Sequence, residues 1–359
     1  MNYTPPRIVA YCAPAGFRYP GTMTGTNKQV LLAARPTGFP NPTDFRPAET
    51  PIPEPAEGQF LVGISYLSVD PYMRGRMNAT RSYADPQKLD EVMGGGAVGK
   101  VLASRHPGFA EGECVVGMFG WQQYALSDGA GVRKVDPRLA PISTSLGVLG
   151  MPGLTSYFGL LDVCAPRASE TVVVSGAAGA VGSAAGQIAK THGCRVVGIA
   201  GSSDKVRWIT DELGFDAAFD YKAETEYFEK LKELCPNGID CYFDNVGGAI
   251  TDAVFPLMNP NGRVAVCGQI SLYNLEKPET GARLLPLVLV RTLTVKGFLV
   301  FQYASRYGEA LSQLAKWHRE GRLKYRETVA EGIENAVSAF LGMLRGENIG
   351  KQLVRISNL

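Results

Sequence analysis

The sequence has few residues that could hold a metal ion or form a redox pair. It contains three histidines and seven cysteines in 359 residues, and no two cysteines are spaced as Cys-x-x-Cys. Zinc knuckles and redox dithiols usually need such closely spaced ligands. We therefore expect no metal ion, and we expect the dispersed cysteines to be reduced thiols of the kind that protein cores commonly bury.

Long apolar runs and a strong net charge are also absent. The longest apolar run worth testing, Leu284–Val290, is far shorter than the roughly 20 residues that span a bilayer. A formal net charge of +2 predicts no patch basic enough for nucleic acid or an anionic membrane surface. The stretch Met1–Gly16 lacks an apolar core of signal-peptide length. We therefore expect a cytoplasmic protein that binds neither nucleic acid nor membrane.

The chain contains two stretches of different character. Up to residue 148, short β-type runs alternate with turns rich in Gly and Pro, which predicts a β-rich domain. From 149 to 320, apolar β runs alternate with helical patterns, the signature of βαβ units and a doubly wound parallel sheet. The tail, 321–359, returns to short pieces, and we expect it to rejoin the first domain. The sequence thus predicts an α/β domain (149–320) and a discontinuous β-rich domain (1–148 and 321–359).

A glycine-rich turn follows the first predicted strand of the α/β domain. Thr171–Ser175 has the pattern of a buried strand and Ala180–His192 that of a helix. In the Rossmann dinucleotide fingerprint, glycines allow a tight turn, close approach to pyrophosphate and close packing of helix on strand. Here Ala177 stands at the first glycine position, and Gly179 and Gly182 keep the other two. The position of this turn, at the start of a βαβ series, favours a dinucleotide site over a turn kept for packing alone.

The end of the second strand indicates which nicotinamide cofactor fits. Sites for NAD place a carboxylate there, which binds the ribose 2′-OH. In this chain the first carboxylate is Asp204, and the cations Lys205 and Arg207 follow it. These cations would attract a 2′-phosphate, although they could instead be charges on a solvated helix. The sequence favours NADPH over NADH.

The segment where a related zinc enzyme would carry a metal ligand has none. Zinc alcohol dehydrogenases share the two-domain plan and hold their catalytic metal with a thiolate and an imidazole. In this chain Tyr66–Tyr72 has no cysteine, and His106 is isolated. Polarising a carbonyl conjugated to a double bond needs only a hydrogen-bond donor, such as a tyrosine. We therefore expect reduction of a conjugated double bond rather than oxidation of an alcohol.

Eight segments, spread over nearly the whole chain, match one family in the expected order. They are Leu67–Met77, Gly150–Tyr157, Ser175–Lys190, Gly214–Lys222, Gly238–Gly248, Gly262–Asn274, Lys296–Val300 and Gly346–Gly350. Together they resemble the prostaglandin reductase (leukotriene B4 12-hydroxydehydrogenase) and alkenal double-bond reductase branch of the zinc-independent medium-chain dehydrogenases/reductases. The resemblance implies a Rossmann-type sheet plus a β-rich GroES-like substrate domain. It also implies NADP(H) as cofactor and a small α,β-unsaturated aldehyde or ketone as substrate.

Carried over by position, the resemblance implies a set of site residues. Lys205 and Tyr221 would hold the 2′-phosphate, and Asn348 would reach back from the tail. Tyr66 and Tyr273 fall where the family's substrate-contacting tyrosines lie, although Tyr66 could be a half-buried strand aromatic instead. The implied cofactor-binding residues are Gly179, Ala180, Val181, Gly182, Lys205, Tyr221, Asn245, Cys267, Gly268, Gln269, Ile270, Ser271, Tyr273, Phe298, Leu299, Val300 and Asn348.

This chain departs from the family in two respects. The family often shows Asn-Tyr-Lys where the chain has Asp220-Tyr221-Lys222, which puts a carboxylate near the expected phosphate. The segments Tyr19–Asn27 and Asn78–Val92 are individual to this chain, and we expect loops there that shape the substrate pocket.

The expected reaction is transfer of a hydride from NADPH to the β-carbon of an enal or enone. A tyrosine hydroxyl, of Tyr273 or Tyr66, would stabilise the enolate oxygen. The alternatives are an NADPH-dependent quinone oxidoreductase and a catalytically idle NADPH-binding protein. The runs Asp70–Arg74 and Asp244–Gly248 favour the alkenal branch. The last strand of the sheet, Leu293–Phe298, is expected at an exposed edge, which predicts a homodimer.

Overall fold

The structure, a computed structural model, describes residues 25–80 and 82–358. Met1–Gly16 and most of the segment Tyr19–Asn27 lie outside these residues. Thr26 and Asn27 belong to a strand, so the prediction of a loop is wrong for them. The reason is tertiary: the Asn27 side chain donates to the carbonyl of Tyr124 at 2.9 Å and accepts from its N–H at 3.0 Å.

The described residues form fifteen strands and nine α-helices. The strands are β1 Thr26–Leu32, β2 Phe45–Pro51, β3 Phe60–Ser68, β4 Ala97–Ser104, β5 Cys114–Gly117, β6 Tyr124–Ser127, β7 Arg133–Val135, β8 Thr171–Ser175, β9 Arg195–Ala200, β10 Ala217–Asp220, β11 Ile239–Asp244, β12 Met258–Val266, β13 Thr294–Gly297, β14 Glu327–Glu331 and β15 Lys351–Arg355. The helices are α1 Tyr72–Arg76, α2 Met151–Phe158, α3 Ala180–Thr191, α4 Ser203–Arg207, α5 Tyr227–Leu234, α6 Gly248–Val254, α7 Leu285–Val290, α8 Tyr307–Arg319 and α9 Ala336–Leu344. No helix in this part of the chain is long and apolar enough to cross a membrane.

Six strands form a parallel sheet in the order β10-β9-β8-β11-β12-β13. Its central strands are largely apolar because helices cover both faces: α3 and α8 pack on one face, and α5 and α6 on the other. The winding reverses between β8 and β11. In open α/β sheets, ligands bind in the crevice beyond the carboxyl ends of the strands at such a point. The predicted doubly wound, Rossmann-type sheet is confirmed.

A second, mainly antiparallel sheet follows the path β14-β15-β3-β4-β5-β7, and β6 also pairs with β3. Its core includes the fully buried side chains of Phe60, Ile64, Trp121 and Phe340. The tail strand β15 pairs with β3, so the end of the chain returns to the sheet built by its beginning. The domain boundaries at 148/149 and 320/321 stay a prediction.

The helical segment that follows β9 changes its winding along its length. The α-helix α4 ends at Arg207, and Trp208–Glu212 continues as a π-helix. The backbone N–H of Leu213 bonds to the carbonyl of Trp208, five residues back. This wider turn accompanies the burial of both Trp208 and Ile209 in the core, a tertiary demand that local sequence does not reveal.

Candidate active site

The turn between β8 and α3 is shaped by two glycines. Gly176 has a φ of +60°, in the region that favours glycine, so the tight turn begins one residue before Ala177, the position that the sequence pattern suggested. At Gly182 a Cβ atom would lie 2.3 Å from the carbonyl oxygen of Gly176. Only glycine allows the helix to pack this closely on the turn, which is what the fingerprint requires of its last glycine.

The first turn of α3 presents backbone N–H groups to the crevice. Gly179 is the N-cap residue, and no side chain of the described residues caps the helix there. The N–H groups of the first helical turn have no partners within their own helix, and they carry the positive end of the helix dipole. Ala180, Val181 and Gly182 therefore offer donors suited to a phosphate group.

The tail segment before β15 is hydrogen-bonded to this turn. The N–H of Gly350 donates to the carbonyl of Ala178 at 2.8 Å, and Gly350 forms a parallel bridge with Gly179. The side-chain amide of Asn348 donates to the carbonyl of Gly350 at 2.8 Å. The structure thus brings Asn348, which is distant in sequence, next to the fingerprint turn.

Two lysines and a tyrosine meet at the ends of β9 and β10. The ammonium of Lys205 donates to the tail carbonyl of Gly346 at 2.6 Å, and the ring of Tyr221 packs against Gly201. Burial lowers the pKa of Lys205 and the like charge of Lys222 lowers it further, whereas Asp220 acts in the opposite direction. A half-buried lysine, Lys205, beside the exposed Lys222 forms a surface suited to an anion.

The loops that follow β8, β11 and β12 are hydrogen-bonded to one another on the other side of the point, between β8 and β11, where the winding of the sheet reverses. The Asn245 side chain donates to the carbonyl of Ser175 at 2.7 Å, and its backbone N–H donates to Ser175 Oγ at 2.9 Å. The N–H groups of Cys267 and Gly268 donate to the carbonyl of Asp244 at 2.8 and 3.1 Å. The N–H groups of Ile270 and Ser271 donate to the carbonyls of Asn245 and Val246, respectively, the two residues that follow Asp244.

The residues that follow β13 are at the same edge of the sheet. The ring of Phe298 stands edge-on to that of Phe243 and packs over Gly159. A Cβ atom at Gly159 would lie 2.4 Å from Cζ of Phe298. Val300 packs against the core, and the N–H of Leu299 bonds to Gln302 Oε1 at 3.0 Å. The predicted nicotinamide-side residues therefore share one rim of the sheet.

Tyr273 lies at the centre of this rim. Its hydroxyl oxygen accepts a hydrogen bond from the backbone N–H of Gln269 at 3.2 Å. Burial raises the pKa of Tyr273, the Gln269 N–H lowers it, and the negative charges that Cys267, Tyr83 and Asp244 can carry raise it. This phenol stays protonated at neutral pH and is available as a hydrogen-bond donor.

Two further tyrosines, Tyr83 and Tyr72, were not predicted as site residues. Tyr83 influences Tyr273 electrostatically, and its ring lies 6.3 Å from that of Phe301. Burial raises the pKa of Tyr72 above its ordinary value, and nearby Asp70 and Tyr83 add to this effect, while Arg76 opposes it. The sequence did contain an indication of Tyr72, because Tyr72 lies inside Leu67–Met77, one of the segments that match the family.

Tyr66 is in a different environment. The guanidinium of Arg355 lies 5.6 Å from the centre of its ring, and Tyr66 raises the pKa of Arg355. The ring packs beside Val98, Leu146 and Leu353. Among the described residues, no contact joins Tyr66 to Tyr273, so the structure does not bring the two predicted catalytic tyrosines together.

A cavity of about 460 Å³ lies outside the loop that carries Tyr273. None of the predicted cofactor-binding residues lines it, so this cavity is distinct from the crevice. Its lining residues are Gly248, Asp252, Leu272, Leu275, Glu276, Lys277, Pro278, Glu279 and Gly281.

Between residues 25 and 358, with residue 81 excepted, no group of three or more His, Cys, Asp or Glu side chains is arranged to hold a metal ion. The cysteines in this part of the chain are free, and Cys164, Cys194, Cys235 and Cys241 are buried.

Comparisons with known proteins identify the family. The profile described as the N-terminal domain of oxidoreductase matches residues 28–135, and that of the zinc-binding dehydrogenase matches residues 180–316. The chain is 44% identical over 342 residues to the NADPH-dependent curcumin reductase of Escherichia coli (strain K12), which covers 94% of this chain and 99% of that protein. It is 42% identical over 332 residues to prostaglandin reductase 1 of Bos taurus, with 91% and 98% covered.

A solved structure agrees with these relatives. The crystal structure of CurA from Vibrio vulnificus in complex with NADPH is 45% identical in sequence, with a TM-score of 0.89, and the match covers 92% of this chain and 100% of that one. The predicted fold class, including the β-rich GroES-like domain beside the Rossmann-type sheet, is confirmed. The chain belongs to the medium-chain dehydrogenase/reductase family, in the prostaglandin reductase branch that its sequence motifs predicted.

Proposed function

We propose that the protein is an NADPH-dependent reductase of the carbon–carbon double bond in α,β-unsaturated aldehydes or ketones. The proposal rests on two features beyond the carboxyl ends of the strands of one sheet, the N-terminus of α3 after β8, which no side chain of the described residues caps, and the phenol of Tyr273 after β12. The names of the curcumin reductase and of the CurA complex, both of which mention NADPH, support the choice of cofactor.

The residues of the crevice fit an NADPH molecule along its length. Gly179 to Gly182 would meet the pyrophosphate through the N–H groups at the start of α3. Lys205 and Tyr221, at the ends of β9 and β10, would hold the 2′-phosphate. Asn348 would reach the cofactor from the tail, which is already bonded to the fingerprint turn.

The nicotinamide half of NADPH would lie along the rim formed by the loops after β11, β12 and β13. Its lining would be made by the residues already predicted from the family pattern, which are Asn245, Cys267, Gly268, Gln269, Ile270, Ser271, Tyr273, Phe298, Leu299 and Val300.

NADPH, when bound, supplies a hydride to the β-carbon of the substrate, and the electron pair of the double bond is displaced toward the carbonyl oxygen to give an enolate. Tyr273 would donate its hydroxyl proton as a hydrogen bond to that oxygen, in a position partly shielded from water. Donors of this kind commonly contribute about 10²–10³-fold to the rate. A proton from solvent then reaches the α-carbon, and the product is the saturated aldehyde or ketone.

Of the two tyrosines named from the sequence, we propose Tyr273 as the catalytic donor. Its hydroxyl lies among the loops that follow β11 and β12, whereas the ring of Tyr66 packs beside Arg355 and Leu353. Tyr83 is an additional candidate for the wall of the substrate pocket, because it acts electrostatically on Tyr273. Tyr72 is a further candidate, because it in turn is affected by Tyr83.

The test is consumption of NADPH with trans-2-nonenal, an α,β-unsaturated ketone and a quinone side by side, followed by identification of the products. We expect the saturated aldehyde and ketone. Formation of hydroquinone alone would replace the proposal with a quinone oxidoreductase. Tight NADPH binding without turnover of any of the three would replace it with a cofactor-binding protein.

We also propose a cytoplasmic homodimer. The edge strand β13 is exposed along its length, and Leu285 and Leu289 of α7 beside it are 79% and 77% exposed. An exposed edge with apolar neighbours is suited to pairing with a second copy. Sedimentation at low micromolar concentration should give the mass of a dimer, and a monomer there would contradict this proposal.

A further inference from the structure

The carboxylate of Asp244, at the end of β11, is buried and surrounded by donors. The residue is 1% exposed. Its hydrogen-bond donors come from four segments of the chain. Four donors bond to Oδ1: Ser175 Oγ at 3.1 Å, Tyr242 Oη at 2.9 Å, Val246 N at 3.0 Å and Gly247 N at 2.9 Å. Two donors bond to Oδ2: Thr251 Oγ1 at 2.9 Å and Gln269 Nε2 at 2.8 Å.

This arrangement ties the rim of the crevice to one point. A buried carboxylate is costly unless its lone pairs are satisfied, and here each oxygen accepts several donors. Because the donors come from β8, β11, α6 and the loop after β12, moving any of these segments would break a bond to a buried charge. Asp244 therefore fixes the relative positions of the loops that carry Asn245 and Tyr273.

Gln269 is the donor that belongs to the same loop as Tyr273. Its side-chain nitrogen bonds to Asp244 Oδ2 at 2.8 Å and to the carbonyl of Gly268 at 2.9 Å. Space for this amide depends on Gly247, where a Cβ atom would lie 2.1 Å from Gln269 Oε1 and where φ is +75°. The Gln269 side chain is thus held in one place by a buried acceptor and a glycine.

The backbone of the same residue reaches the phenol. The N–H of Gln269 donates to the oxygen of Tyr273, so that oxygen already has a donor and its own O–H proton is free to point elsewhere. A hydroxyl oriented in this way can give its proton to a carbonyl oxygen in the crevice. Residue 269 thus links the two groups. Its side-chain amide bonds to the carboxylate of Asp244, and its backbone N–H bonds to the hydroxyl of Tyr273.

We propose that Asp244 and Gln269 are positioning residues, which orient the Tyr273 hydroxyl so that its proton is directed at the substrate oxygen. The inference rests on the proposed enone reduction and extends it to residues that do not touch the substrate. Catalytic groups lose effectiveness when they are displaced by as little as about 1 Å, so release of this loop should slow turnover more than it weakens binding.

The experiment compares two variants that each remove one donor from Asp244 Oδ2. Gln269→Met removes the donor on the Tyr273 loop and keeps the length of the side chain. Thr251→Val removes the donor on α6, which does not carry Tyr273, and keeps the shape of the side chain. For both variants, kcat and KM for the enone, the NADPH dissociation constant and the melting temperature are measured beside the wild-type protein.

We expect Gln269→Met to lower kcat by about 10-fold, with KM for the enone within about 2-fold of wild type and a smaller change in the NADPH dissociation constant than in kcat. Thr251→Val should lower the melting temperature and leave kcat unchanged. Equal losses of kcat in the two variants would reduce Asp244 to a structural role and overturn the inference. An unchanged kcat in Gln269→Met would overturn it as well.

A spectroscopic titration of the phenol separates this inference from the proposed function. Absorbance of the Tyr273 phenolate is read as the difference between each protein and its Tyr273→Phe counterpart. Gln269→Met keeps the backbone N–H but releases the loop from Asp244, so the bond from this N–H to the phenol should weaken. The pKa of Tyr273 should therefore rise in Gln269→Met but not in Thr251→Val, because this N–H stabilises the phenolate. An unshifted titration would overturn the inference, whereas a wild-type protein without enone turnover would overturn only the proposed function.

Discussion

The two halves of the crevice are built from different kinds of contact. On the side of β9 and β10, partly exposed cations meet a tail carbonyl, as in the bond between Lys205 and Gly346. On the side of β11 and β12, hydrogen bonds converge on the buried carboxylate of Asp244. The first half can exchange its partners for an anion, whereas the second is held in one arrangement. This contrast suggests that the first half selects the cofactor and the second half performs the chemistry.

The largest expected effect is on the chemical half. Tyr273→Phe should lower kcat for the enone by about 10²–10³-fold, because it removes one donor to the enolate oxygen. The NADPH dissociation constant should change little, since the phenol lies on the opposite half from Lys205. Steady-state kinetics and fluorescence titration with NADPH measure the two effects separately.

Tyr66→Phe is the matched control for this substitution. It removes the hydroxyl of a ring that packs beside Arg355 and Leu353, away from the loop of Tyr273, so kcat should stay close to that of the wild-type protein. If Tyr66→Phe proved the more damaging of the two, the assignment of the donor to Tyr273 would be wrong.

Much of the selecting half could be predicted from local sequence. The buried run Thr171–Ser175 has the predicted bounds, since a strand covered on both faces is a largely apolar run. The helix predicted at Ala180–His192 ends one residue earlier, at Thr191. These elements follow one another directly, so the glycine-rich turn between them is a local signal as well.

The environment of the tyrosines could not be predicted in this way. Whether Tyr66 meets the crevice depends on the pairing of β3 with β15, which sets Tyr66 opposite Arg355 across almost the whole length of the chain. The convergence of donors on Asp244 depends similarly on four segments that meet only in the fold. The motif Asp244–Gly248 showed that the segment mattered, but not that its carboxylate joins the loops.

Helix α2 was missed for a related reason. Met151–Phe158 contains Pro152, Gly153 and Thr155, which are poor or moderate helix formers. Its stability comes from packing instead, because it lies between α3 and α8 with most of its side chains buried. Propensity alone gives no indication of such a helix.

A smaller effect is expected in the selecting half. Lys205→Ala should raise KM for NADPH by about 10- to 100-fold, since a hydrogen bond to a charged group contributes about 1.5–3 kcal/mol. KM for NADH, which lacks the 2′-phosphate, should change by less than about 2-fold. The ratio of kcat/KM values for the two cofactors is the quantity to measure.

Arg207→Ala is the control, because Arg207 is exposed and already pairs with Asp204 on the same helix turn. It should leave the preference for NADPH unchanged. Equal losses in the two variants would mean that general positive charge, rather than the placement of Lys205 beside the tail, governs the choice of cofactor.

The smallest expected effect comes from the carboxylate that distinguishes this chain from its family. Asp220 lies close enough to Lys205 to raise its pKa, and it would repel a 2′-phosphate held there. Asp220→Asn keeps the acceptor for the Lys222 N–H, 2.9 Å away, and removes the charge. The variant should bind NADPH about 2- to 5-fold more tightly, the scale of a partly exposed charge interaction. The gain should shrink as salt is added, because mobile ions screen charges near the surface.

If the affinities for NADPH and NADH rose equally, or if the gain persisted unchanged in high salt, Asp220 would not face the phosphate, and the selecting half would consist of Lys205, Tyr221 and the tail alone.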